Sequence, residues 1–197
     1  MERKLKNTPP RLPVVFQSYD PPLYLITFNT LLRRPLLACG SVHAAFREYA
    51  ERGLAFNVAT GRYVLMPDHV HVFVRIGRDM TLKRWESGLK QRMGKALKEL
   101  GHELVSVPLD SAHSADATRS SSSVEPVARQ SGHKPGITSK LKSFWQPGFF
   151  DHLLRHNESY AEKWNYVWHN PVRAGLVARP EDWPYQGEIH VIDRVQV

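Results

Sequence analysis

Residues 69–76, His-Val-His-Val-Phe-Val-Arg-Ile, alternate strictly, with Val70, Val72, Val74 and Ile76 on one side and His69, His71, Phe73 and Arg75 on the other. A β-branched run of period two predicts a strand whose Val/Ile side faces a core. Residues 22–30 predict an earlier strand, apolar on both faces and therefore central in its sheet. Ser41 is the expected N-cap of a helix reaching about Arg52, with Val42, Phe46, Tyr49 and Ala50 on one side and Gly53 as its stop. A strand over 56–66 then turns at Pro67 and Asp68 into the histidine strand. In residues 81–100, Leu82, Trp85, Leu89, Met93, Leu97 and Leu100 recur at gaps of three and four, the mark of an amphipathic helix. An aromatic stretch, 144–152, predicts a short strand or turn. The last helix is expected from near Glu158 with Asn157 as its cap, packing through Ala161, Trp164 and Trp168, and ended or kinked by Pro171.

This order of elements predicts an α+β fold. It is the ferredoxin-like split βαβ antiparallel sheet, with the regular helices on one face, the histidines on the other, and an added C-terminal tyrosine-bearing helix. One domain is expected over 22–185, after a basic, Pro-rich lead-in (1–21) and before a tail (186–197). Residues 101–140 interrupt it. They hold nine serines and few large apolar groups, a composition too poor in burial to offset its ordering entropy, and are expected to be a disordered insertion.

Composition narrows the chemistry. The 197 residues carry a net charge of +8, which suits a polyanionic partner. On the 81–100 helix, Lys83, Arg84, Lys90, Arg92, Lys95 and Lys98 stand against only Glu86 and Glu99. Such a row is either a solvated helix face or a surface that meets phosphates. Cys39 is the only cysteine, which excludes an internal disulfide and a Cys-based zinc site. No apolar run is long enough for a membrane span and the N-terminus lacks a signal-peptide pattern, so a cytoplasmic protein without a membrane partner is expected.

Two pairs of residues carry candidate chemistry. His69 and His71 are neighbours on one strand face, either as two partly exposed histidines or as two ligands of one ion. Tyr166 and Asn170 are spaced i and i+4, which sets a phenol and an amide one turn apart. The plainer alternative is an amphipathic rim tyrosine and a helix-terminating asparagine.

Taken in order, Met66-Pro-Asp-His-Val-His71, Trp145-Gln-Pro-Gly-Phe-Phe-Asp-His152, Tyr166-Val-Trp-His-Asn-Pro-Val-Arg-Ala-Gly-Leu-Val177 and Asp182-Trp-Pro-Tyr185 resemble the REP-associated tyrosine transposases, members of the single-tyrosine HUH transposase superfamily. The resemblance runs from about Leu23 to Tyr185 and leaves out the Ser-rich insertion. It implies that Tyr166 is the nucleophile and that His69, His71 and Asn170 hold Mg²⁺ or Mn²⁺. The implied substrate is single-stranded or hairpin DNA, cleaved and rejoined through a 5′-phosphotyrosine. Arg33, Arg34, the cations of the 81–100 helix and Trp145 are the candidate DNA contacts. Tyr160 is a rival nucleophile that does not match the motif. Two other functions stay open: a catalytically silent DNA-binding regulator of the same fold, and an unrelated metal-dependent hydrolase.

Overall fold

The computed structural model describes residues 22–108, 140–154 and 160–192. In chain order the regular elements are β1 (Leu23–Asn29), α1 (Gly40–Glu51), β2 (Val58–Leu65), β3 (His69–Ile76), α2 (Leu82–Glu99), β4 (Val105–Pro108), β5 (Lys140–Ser143), β6 (Phe150–Leu153), α3 (Tyr160–Trp168), α4 (Asn170–Arg173) and β7 (Gln186–Glu188). The main sheet is five-stranded in the order β6-β1-β3-β2-β7, with every neighbouring pair antiparallel. Strands β1 and β2 thus run parallel on either side of β3, the split βαβ arrangement read from the sequence.

One sheet face is covered by α1 and α2. Val70, Val72, Val74 and Ile76 pack there with Ile26 and Phe28 against Phe46, Trp85, Leu89, Met93 and Leu97. Each such side chain contributes roughly 1.5–3 kcal/mol by leaving water. The start of α2 is fixed by Thr81, whose hydroxyl accepts from the Arg84 backbone N–H at 3.2 Å.

The other face was expected to be open, and it is not. Phe73, Val64, Met66, Leu154, Val167, Trp183 and Ile192 form a second apolar cluster on it. The Tyr160 ring centroid lies 4.6 Å from that of Phe73. The packing residues of α3 are accordingly Tyr160, Trp164 and Val167, while Ala161 is exposed. The sheet also continues past Tyr185: β7 pairs with the edge of β2, and the His190 N–H donates to the Thr60 carbonyl at 2.8 Å. A three-residue edge strand is too short to leave a period in the sequence.

Three boundaries move for local reasons. Helix α1 begins at Gly40, with Cys39 as its N-cap and no side-chain cap bond. Buried Leu37, whose N–H donates to the Pro67 carbonyl at 2.8 Å, fixes the entry one turn ahead of Ser41. Strand β2 begins at Val58, because Arg52–Phe56 form a 3-10 turn closed by Asn57 in the left-handed region (φ 56°). Gly53 is required in that turn, since a Cβ there would lie 2.7 Å from the Val58 carbonyl oxygen. Strands β4 and β5 pair antiparallel, so the expected insertion is ordered at both its ends. The remainder, 109–139, and the expected cap Asn157 lie outside the described residues.

Lys90 departs from its expected place on a solvated row. It is buried, 2.5 Å from the Glu86 carboxylate, and donates to the carbonyls of Gln146 (3.2 Å) and Gly148 (2.7 Å). Its ammonium also sits 5.3 Å from the Phe28 ring centroid. The pair ties α2 to the aromatic turn before β6. Lys90→Ala would strand Glu86 as a buried charge, at an expected cost of about 3–5 kcal/mol, whereas Glu86→Leu with Lys90→Met should recover most of it. Urea denaturation of the single and double variants measures both.

Candidate active site on the histidine strand

The register of β1 on β3 sets Thr27 opposite His71 and Asn29 opposite His69. The His69 and His71 ring centroids are 4.8 Å apart with the planes perpendicular (90°). Each ring has its Nδ1 occupied. The His69 Nδ1–H donates to Asp68 Oδ1 at 2.6 Å, and His71 Nδ1 lies 2.8 Å from Thr27 Oγ1.

The tautomer of His71 follows from its neighbours. Arg173 Nη2 donates to Asn170 Oδ1 at 3.0 Å, which turns the Asn170 Nδ2 toward His71 Nε2 at 2.7 Å. Facing a donor, Nε2 must be the acceptor, so the proton sits on Nδ1 and is donated to Thr27. Both imidazoles are therefore held by their Nδ1 side, which leaves Nε2 as the free donor atom of each.

A single cation could take both Nε2 atoms together with Asn170 Oδ1, once the amide turns that oxygen inward and releases Arg173. Among the described residues no group of three His, Cys, Asp or Glu side chains could hold a metal. The amide is thus the third donor on offer, and open positions would remain for water or phosphate oxygens, a set suited to Mg²⁺ or Mn²⁺.

Tyr166 and Asn170 reach this site by a route the sequence did not disclose. Helix α3 stops at Trp168, His169 is non-helical (φ −81°, ψ 2°), and Asn170 opens a separate short helix with Pro171 in its first turn. The break precedes Asn170 where it was expected to follow it, because proline fits the first helical turn, where no N–H bond is needed. Tyr166 is exposed (64%), and the Arg173 guanidinium lies 4.2 Å from its ring centroid. Arg173 thus touches both Tyr166 and Asn170. It had no assigned role in the sequence, although its spacing of three from Asn170 was a signal.

Burial, reinforced by the charges of His69, Arg173 and Arg33 and opposed by Asp68, pushes the His71 imidazole down to about 3. Burial pushes the Asp68 carboxyl up. The hydrogen bond from His69 and the charges of His69 and Arg33 outweigh it and hold the group below its usual range. An unfolded histidine takes up its proton near pH 6.5, while the folded one resists to about 3. The unfolded chain therefore binds more protons across that window, and stability falls as pH drops through it. His71 should account for up to about 1.4 kcal/mol per pH unit in the metal-free protein. Asp68 adds a change of the same sign, so the difference in slope between wild type and His71→Asn, read by urea unfolding across the window, isolates the imidazole.

The candidate DNA contacts divide. Arg33 Nη1 donates to Asn29 Oδ1 at 2.8 Å and lies 3.5 Å from Asp68 Oδ2, at the rim of the histidine site. Arg34 donates to the Glu103 carbonyl at 3.1 Å. Lys83, Arg84, Lys95 and Lys98 are exposed along α2, and Arg92 pairs with Glu48 at 2.7 Å. Besides Lys90, Trp145 is turned inward: it is buried, donates its indole N–H to the Lys90 carbonyl at 3.0 Å and meets the edge of Phe28. Tyr160, the rival nucleophile, belongs to the apolar cluster around Phe73.

No family model matches the chain. A REP-associated tyrosine transposase of Escherichia coli (strain K12) is 40% identical over 45 residues, 23% of this chain and 27% of that one. A relative of the same designation from Haemophilus influenzae is 42% identical over 41 residues, 21% of this chain and 23% of that one. The matched stretch thus spans about a quarter of the length of these relatives. Among solved structures, a REP-associated tyrosine transposase bound to a REP hairpin superposes with a TM-score of 0.51 at 19% identity, covering 88% of this chain and 81% of that one. In local sequence and in fold, the chain is similar to the REP-associated tyrosine transposases.

Proposed function

We propose that this protein cleaves and rejoins single-stranded DNA beside hairpin-forming repeats, through a covalent link to Tyr166. The observation that carries the reading is the meeting of Tyr166, Asn170 and the histidine pair, with Arg173 touching the first two and Asn170 within 2.7 Å of His71. The related fold seen on a REP hairpin supports DNA of that shape as the partner. A metal-dependent hydrolase would call for carboxylate ligands, and no three-residue cluster containing them occurs among the described residues.

In the proposed step the Tyr166 hydroxyl oxygen attacks a backbone phosphorus. The phenolic O–P bond forms as the P–O3′ bond breaks, the phenol gives up its proton, and the departing 3′ oxygen gains one. The products are a 5′-phosphotyrosine and a free 3′-hydroxyl. Since the phosphoryl linkage is conserved, attack by a 3′-hydroxyl reverses the step and joins strands. His69, His71 and Asn170 would hold the divalent ion, which when bound neutralises the phosphate and stabilises charge in the transition state. His71 enters as a neutral ligand because burial keeps its proton off Nε2.

Denaturing electrophoresis of labelled hairpin DNA with single-stranded flanks, in Mg²⁺ or Mn²⁺, tests the reading. A protein–DNA adduct is expected with this substrate and not with fully paired duplex. No adduct with any structured single strand would leave a binding protein of the same fold. Binding should weaken with salt, log K falling by about 0.7 per phosphate neutralised for each decade of salt. Charge removal at exposed Lys83, Arg84, Lys95 and Lys98 should flatten that slope, and filter binding across a salt series checks it.

A further inference from the structure

We propose that Arg173 is a phosphate-contacting catalytic residue, whose guanidinium grips the scissile phosphodiester beside Tyr166. The inference rests on the reading of Tyr166 as the nucleophile and adds a second charged group acting on the same phosphorus.

Three observations lead to it. The first is position. Arg173 lies 4.2 Å from the Tyr166 ring centroid and 3.0 Å from Asn170 Oδ1, so it sits between the attacking group and the third donor of the cation site. A phosphate within reach of the tyrosine hydroxyl is then within reach of this guanidinium.

The second is the absence of a competing anion. Arg33 has Asp68, Arg62 has Glu188, Arg92 has Glu48, and Arg179 has Glu181 and Asp182. Among the described residues no carboxylate pairs with Arg173; its partners are an amide oxygen and an aromatic face. Those contacts orient the planar fork without neutralising it, and only one of its N–H donors is in use. An exposed guanidinium held this way is preorganised for a phosphate, which it can bind through two parallel N–H bonds.

The third is the backbone. Pro171 is buried in the first turn of α4, and the Arg173 N–H donates to the His169 carbonyl at 2.9 Å. The break at His169 that starts this turn is what brings Arg173 back over Tyr166. A phosphodiester gains negative charge on its non-bridging oxygens as the O–P bond forms, and a fixed guanidinium there stabilises the transition state more than the ground state.

The test compares wild type, Arg173→Gln and Arg173→Lys on a hairpin substrate with either the native linkage or an uncharged methylphosphonate at the cleaved position. On the native linkage Arg173→Gln should slow adduct formation on the order of 10²-fold. On the methylphosphonate the penalty should vanish, because the charge that Arg173 meets is gone. Arg173→Lys, which keeps the charge and loses the fork, should fall between. Metal-free binding gives a second readout: wild type should prefer the native linkage, and Arg173→Gln should bind the two alike. Adduct formation by Arg173→Gln at the wild-type rate, or an equal slowing on both linkages, would overturn the proposal while leaving Tyr166 in place. Failure of wild type to form any adduct would sink the Tyr166 reading instead, and the binding comparison would still decide whether Arg173 meets that phosphate.

Discussion

Tyr166→Phe is expected to bind hairpin DNA as wild type does and to lose the covalent adduct, a drop of about 10⁴-fold or more because the nucleophilic atom itself is removed. The geometry makes this an unusually clean substitution. Tyr166 is exposed, and among the described residues its hydroxyl has no hydrogen-bond partner, so removing the oxygen orphans nothing. Stability should stay within about 0.5 kcal/mol. The phenylalanine ring can keep the contact with Arg173 seen at 4.2 Å, so the guanidinium should hold its place. Tyr160→Phe is the matching control: its ring packs on Phe73 and beneath Arg62, within the apolar cluster. It should leave the adduct unchanged. Electrophoresis of both variants with labelled hairpin DNA decides the matter. An adduct that survives in Tyr166→Phe and disappears in Tyr160→Phe would transfer the role to Tyr160.

What the sequence disclosed of this site, and what it withheld, follows from the range of the interactions involved. The alternation of Val70, Val72, Val74 and Ile76 is local, and the structure buries those four as read. The face of the two histidines was equally legible. Its neighbours were not: Thr27 meets His71 only through the β1–β3 register, which no single-strand pattern reports. Asp68 was in view as a turn residue, while its bond to the adjacent His69 depends on how that turn closes.

Lys90 shows a different failure. Glu86, Lys90, Met93 and Leu97 follow one another at gaps of four, three and four, so periodicity alone would have turned the charged pair inward. Their charge argued for solvent, and the carbonyls of Gln146 and Gly148 that satisfy Lys90 lie more than fifty residues away. Pro171 was read as a terminator when it opens a new turn. That difference decides where Arg173 points, and hence whether a third charged side chain joins the tyrosine.

His71→Ala is expected to abolish divalent-ion binding and, with it, adduct formation. His71 supplies one of two imidazole Nε2 atoms, and its loss leaves only His69 and an amide, too few strong donors to hold Mn²⁺ against water. The fold should also feel it. The expectation that both histidines lie on an open face does not survive the packing around Phe73: His71 bonds to Thr27 on one side and Asn170 on the other, and removing it should cost about 1–3 kcal/mol. Asp68→Asn separates the two effects. It keeps every ligand and weakens only the hydrogen bond that orients His69, so Mn²⁺ affinity should fall about 10–100-fold while the strand stays intact. Calorimetric Mn²⁺ titration beside thermal melting reads both variants without reference to cleavage. Unchanged Mn²⁺ affinity in His71→Ala would remove the histidine pair from the metal site, and with it the placement of the phosphate beside Tyr166.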